Sequence, residues 1–147
     1  MKHLSLLILL FFSLTTSHAQ KLQTGCYYLS DTSAFMRVDL KQGVKFFINP
    51  APILTTKDFK KIKLSKNKYT HEGELRLELT EKGKNIFADV TEKNIGKKLA
   101  FIIDNELVFV PVVQAKIAGG KVSISGLRKN KVELKKIKKV IEAEMKK

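Results

Sequence analysis

Beyond its first nineteen residues the chain holds one cysteine and one histidine, Cys26 and His71. A thiol and an imidazole could together perform acyl transfer, but only within hydrogen-bond reach and with a third group orienting the base. Cys26 and His71 lie in weakly patterned segments, and no orienting group is evident, so a hydrolase built on them is the weakest reading. Glu72/Glu74 and Glu92/Asp104 are candidate acid pairs. In GELRLELT (Gly73–Thr80), however, Glu74 and Glu78 alternate with leucines, which assigns them to a wet strand face where carboxylates merely solvate. No His, Cys or Asp cluster has the spacing of a metal site. Gly119-Gly120 before Lys121 lacks the longer glycine spacing and following capped helix of a phosphate-binding loop. The expectation is a protein that is not an enzyme and uses no metal or cofactor.

Binding chemistry is better represented. Lysines crowd Lys57–Lys68 and Arg128–Lys147, while acids concentrate between Glu72 and Glu92. Such a field favours anionic partners: an acidic polypeptide, an envelope protein, a lipid surface or a polysaccharide. The plainer reading is that these lysines are solvated faces that keep the protein soluble. A second binding feature is the strand segment Phe109, Pro111, Val113. An edge there could accept an extended peptide, although proline also guards edges against such pairing. The candidate surface is therefore Phe109, Pro111 and Val113, with Lys57, Lys60 and Lys61.

The N-terminus indicates a destination. Lys2, the apolar run Leu4–Leu14 and Ser17-His18-Ala19 form a signal peptide over residues 1–19, with cleavage expected before Gln20. The run is well short of the roughly 20 residues that cross a bilayer, so an uncleaved anchor is the weaker alternative. A periplasmic or secreted protein that does not span the membrane after cleavage follows, and nucleic acid is excluded as a partner. Cys26 is a poor lipidation site: Gln23 stands where a lipobox prefers leucine, and Cys26 lies twelve residues beyond the apolar run. The leader carries one of the 28 Lys and Arg and none of the 14 Asp and Glu, which leaves the remainder at +13. Its 128 residues suffice for one domain. With a single cysteine there is no internal disulfide; an intermolecular one stays open.

The elements are legible in part. Residues 20–42 carry no clear pattern. Gly43–Pro50 is expected to be a strand ending at proline, followed by an extended segment and a short turn at Thr56–Phe59. Ile62 and Leu64 alternate with lysines as a half-exposed strand would. Leu75, Leu77 and Leu79 define the next strand. Thr80 caps a helix over Glu81–Glu92, with Ile86, Phe87 and Val90 inward and Gly96 as its stop. Leu99–Ile103 is apolar throughout, as in a strand buried on both faces. Asp104-Asn105 turns it into Leu107–Val113, where Pro111 marks a bulge or an edge. Lys121–Gly126 alternates again. Lys131–Lys147 forms a helix with Ile137, Val140, Ile141 and Met145 on one face, a stripe expected to close the core. The order ββαβββα indicates one small α+β domain, a mostly antiparallel sheet with two helices on one face.

The run of motifs from Pro52 onward resembles the head of the first periplasmic domain of the bacterial export factors SecD and SecDF. Pro52-Ile53-Leu54-Thr55 with Asp58-Phe59 match the entry of that head, and Gly83 and Phe87 match its helix. Thr91, Asn94, Gly96 and Lys97 stand in its T-x-x-N-x-G-K motif. Leu99-Ala100, Pro111-Val112-Val113, Ile117, Gly119-Gly120 and Ile124-Ser125-Gly126 complete a similarity over about residues 43–147. The resemblance implies a structural role for Thr91, Asn94, Gly96, Pro111, Gly119, Gly120 and Gly126, and a non-enzymatic module that binds polypeptide or an envelope partner. Asn105 replaces the usual turn glycine, and Leu127 stands near a usual aromatic. In that family the head sits on a base above proton-conducting transmembrane helices. No such parts are expected here, so proton-driven movement does not carry over.

Overall fold

The computed structural model describes residues 21–31, 36–39, 44–125, 127 and 130–147, with the backbone alone for Met36–Asp39. The leader and Gly126 lie outside the described residues. Strands β1 (Gly25–Ser30), β2 (Met36–Asp39) and β3 (Lys45–Thr55) lead through a 3-10 turn at Thr56–Asp58 into β4 (Phe59–Lys66) and β5 (Gly73–Leu79). Helix α1 (Glu81–Lys93), strands β6 (Leu99–Ile103), β7 (Glu106–Phe109) and β8 (Lys121–Ile124), and helix α2 (Lys131–Glu144) follow. From β4 onward the order is the expected ββαβββα.

The strands divide into two antiparallel sheets: five strands in the order β2-β3-β1-β6-β7 and three in the order β4-β5-β8. Patternless as its sequence is, β1 is the middle strand of the larger sheet. Cys26 pairs with Leu54 on one side and Phe101 on the other. It therefore pairs across the boundary expected near residue 43.

β3 also departs from expectation, for it does not stop at Pro50 but continues through Pro52 to Thr55. The reason lies in its neighbours. Among the described residues the ladder with β2 reaches only Ile48, and beyond it β3 pairs with β1 alone, so its other side needs no N–H. Register shifts against Cys26, Tyr27 and Leu29 absorb the two prolines.

One core joins the sheets and helices. Leu75, Leu77 and Leu79 of β5 pack in the same cluster as Phe87 and Val90 of α1, Leu134 and Ile141 of α2, and Leu99, Phe101 and Ile103 of β6. Helix α2 lies on β4 and β5, and α1 lies on β3 and β5. A smaller cluster, with Tyr27, Ile48, Ala100, Ile102 and Leu107, occupies the opposite face of the five-stranded sheet. The outer strands β2 and β7 approach each other, so this sheet curls around that second cluster. β6, buried at all five positions, supplies side chains to both.

The helix ends follow local chemistry. The Thr80 hydroxyl accepts from the Gly83 N–H at 3.1 Å, and Asn130 accepts from Val132 and Glu133 in a capping box. Asp104 and Asn105 both take positive φ, 48° and 65°, as a tight hairpin turn of this twist requires.

Candidate functional site

Cys26 and His71 do not form a site. Cys26 is fully buried in the middle of the larger sheet, and burial pushes its thiol up to about 12. A thiol so placed reaches neither a second chain nor a lipid in the folded protein. His71 is exposed, with φ 58°, in the β4–β5 connection of the other sheet.

Three of the four acids in the candidate pairs bind cations instead. Glu92 is bound by Lys116 at 2.9 Å and Asp104 by Lys21 at 3.4 Å. Glu74 corrects the expectation of a solvated carboxylate, being only 2% exposed. Arg76 Nε donates to its Oε1 and Asn67 Nδ2 to its Oε2, at 3.4 Å for the latter, so the buried charge is matched. Among the described residues no group of three or more His, Cys, Asp and Glu could hold a metal ion.

The motif residues are engaged within the fold. Thr91 Oγ1 donates to the Phe87 carbonyl at 2.7 Å and accepts from the Ile117 N–H at 2.9 Å. Asn94 Nδ2 donates to the Val90 carbonyl, and Gly96, at φ 82°, donates its N–H to Val113. The Gly120 carbonyl accepts from Leu79, at φ 64° and with Lys84 close above. Gly119-Gly120 is thus a chain reversal and not a cradle.

The segment at Pro111 is half paired. Val113 donates its N–H to the Lys97 carbonyl at 2.8 Å, and Leu99 donates to the Pro111 carbonyl at 3.1 Å. Val113 is buried, and Phe109 is half-buried with its ring 6.1 Å from that of Phe101. The return strand lies at the edge of its sheet, as expected, but β7 ends at Phe109, short of Pro111, and its bulge falls at Val108, opposite Phe101 and Ile102. Its outer side faces the approach of β2.

Lys60 and Lys61 lie instead on β4, the outermost strand of the smaller sheet, so the two halves of the expected surface sit on different sheets. Lys57 is exposed in the 3-10 turn before β4. Between β4 and α2 runs an open groove of about 540 Å³, lined by Lys60, Lys61, Lys63 and Lys138 over Ile62, Leu64 and Met145. Glu142 also borders it. Lys138 pairs with Glu142 across one helical turn, and Lys60 pairs with Glu78 at 3.2 Å. The latter bond holds the Glu78 carboxyl below its ordinary value. Lys61 and Lys63 form no salt bridge among the described residues, although Lys61 stands opposite Glu78 and its charge helps hold that carboxyl low. The alternation of lysines in β4 marked a half-exposed strand. That α2 would stand beside it had no local signal.

Comparison with known proteins matches the model of the SecDF P1 head subdomain over residues 32–143. The protein translocase subunit SecD of Sebaldella termitidis is 39% identical over 66 residues, 42% of this chain and 16% of that one. The SecDF subunit of Thermus thermophilus is 39% identical over 54 residues, 37% of this chain and 7% of its own length. A solved structure of SecDF, described as a membrane component that enhances protein export, superposes with a TM-score of 0.60 at 29% identity, covering 66% of this chain and 43% of that one. The chain thus spans less than a fifth of the length of these curated relatives. Among the described residues no helix is long and apolar enough to cross a membrane.

Proposed function

This chain belongs to the SecDF P1 head subdomain family, and from that premise we propose that it is a non-enzymatic binding module of protein export that faces the periplasm and holds extended polypeptide. The observation that carries this reading is the head fold combined with an open, strand-bordered groove on the smaller sheet. A strand edge offers N–H and C=O groups that every extended polypeptide can use, whatever its sequence. A folded client has already spent those groups internally. The lysine-rich surface, with a formal net charge of +14 for the whole chain, brings anionic clients to the protein faster.

The test compares a reduced, permanently unfolded acidic protein with its folded form in titrations against the purified chain. Tighter binding of the unfolded form is expected. Equal affinity for both forms sinks the reading.

A second reading, a cationic envelope protein that binds anionic lipid or polysaccharide, draws on the charge alone. It predicts binding to anionic vesicles that disappears as salt shortens the Debye length to several ångströms.

A further inference from the structure

We propose that the groove between β4 and α2 is the polypeptide site and that it selects acidic segments in extended conformation. This inference rests on the reading above and adds to it a location and a chemistry.

Among the described residues β4 is paired with β5 on one side and with no strand on the other. Its outer side therefore holds backbone donors and acceptors that a further strand could pair. Its neighbour across the groove is not a strand but α2, which contributes Lys138 and Glu142, with Met145 at its C-cap. A strand laid along β4 would rest on Ile62, Leu64 and Met145, which give apolar contact without regard to sequence.

The charges then choose among clients. Lysines on an edge strand repel basic strands, including second copies of this lysine-rich chain. The same lysines attract a strand bearing carboxylates. Two of the four groove lysines already have partners, Lys60 with Glu78 and Lys138 with Glu142. Lys61 and Lys63 form no salt bridge among the described residues; Glu78, which faces Lys61, already bonds Lys60. They stand opposite Glu78 and Arg76 in the register, on the same face of the sheet. Residues two apart on a strand are separated by roughly 6.8 Å, so a client with acids at alternate positions meets both ammonium groups in register. A flat lipid surface would engage the lysines but leave the strand edge unused.

The probe is a capped peptide of alternating glutamate and valine, compared with its lysine counterpart and with a neutral unfolded protein. Lys61→Glu/Lys63→Glu should weaken binding of the acidic peptide at least tenfold and leave the neutral unfolded protein within about twofold. Lys82→Glu/Lys136→Glu makes the same change of charge at exposed positions outside the groove, and should leave acidic-peptide affinity within about threefold. Circular dichroism of both variants checks that they fold. Equal losses in the two double variants would overturn the groove and reduce the effect to net charge. Unchanged acidic-peptide affinity in Lys61→Glu/Lys63→Glu, with unfolded protein still bound, would overturn the groove but leave the export reading standing. No binding of any unfolded polypeptide would remove both. Phosphatidylglycerol vesicles bound more tightly than the acidic peptide would also overturn the proposal, in favour of a membrane surface.

Discussion

The hydroxyl of Thr91, at the end of α1, accepts the backbone N–H of Ile117 at 2.9 Å while donating to the carbonyl of Phe87. Thr91 is fully buried, so this single oxygen serves a donor and an acceptor that water does not reach. The bond fastens the connection between β7 and β8 to the helix.

Thr91→Val keeps the shape but leaves the Ile117 N–H without an acceptor. It should destabilise the protein by about 1–3 kcal/mol, the cost of a buried unsatisfied donor. Thr91→Ser, which keeps the oxygen, should cost clearly less. Urea unfolding of both variants checks the difference, and equal losses would show that packing of the methyl group matters and the bond does not.

Asn105 performs two tasks in the hairpin turn. It adopts φ 65°, and its Oδ1 accepts from the Leu22 N–H at 2.8 Å, strapping the chain before β1 to the β6–β7 turn. The Thr24 hydroxyl accepts from Asp104 beside it. Asn105→Ala loses both the tolerance of positive φ and the bond, for a cost of about 1–2 kcal/mol. Asn105→Gly restores the backbone freedom alone. Hydrogen exchange at Leu22 should speed up in both variants, and stability should fall further in the alanine variant.

Cys26 should resist thiol reagents while the protein is folded. Its pKa of about 12 leaves roughly one part in ten thousand as thiolate at pH 8, and burial blocks access besides. Labelling with a chromogenic disulfide should begin only as denaturant unfolds the chain. Rapid labelling under native conditions would contradict the central placement of β1.

Glu78 gives the sign of one pH effect. Its hydrogen bond and attraction to Lys60 lower the folded carboxyl below the ordinary value near about 4.3. Its contribution is therefore present above that ordinary value and is lost as pH falls through the folded one. Glu78→Gln should show a shallower loss of stability below about pH 4 than the unaltered protein. Because the pair is exposed the effect is small, and a difference confined to neutral pH would contradict it.

Much of this was legible in sequence because local pattern and tertiary demand agreed. The leucines of β5, the Thr80 cap, the apolar β6 and the order ββαβββα are such cases. β1 was illegible because a short strand between two neighbours, with Cys26 facing one cluster and Tyr27 the other, has no alternation to read. β3 ran past Pro50 because the end of its ladder with β2 is a tertiary fact. Glu74 obeyed the strand period yet is buried, since Asn67 and Arg76 close over it. Of the three lysines of the expected binding surface, Lys60 and Lys61 fall in the groove and Lys57 does not line it. The strand part of that surface, Phe109 to Val113, is taken up by pairing with the segment from Lys97 to Phe101.

The most direct measurement is a residue-resolved map of backbone amide shifts as an unfolded acidic polypeptide is added to the isotope-labelled protein. The account predicts a continuous footprint along β4 from Lys60 to Leu64 and along α2 from Lys138 to Met145, with β7 unaffected. Shifts absent everywhere at saturating polypeptide would contradict the claim that this head holds extended chains.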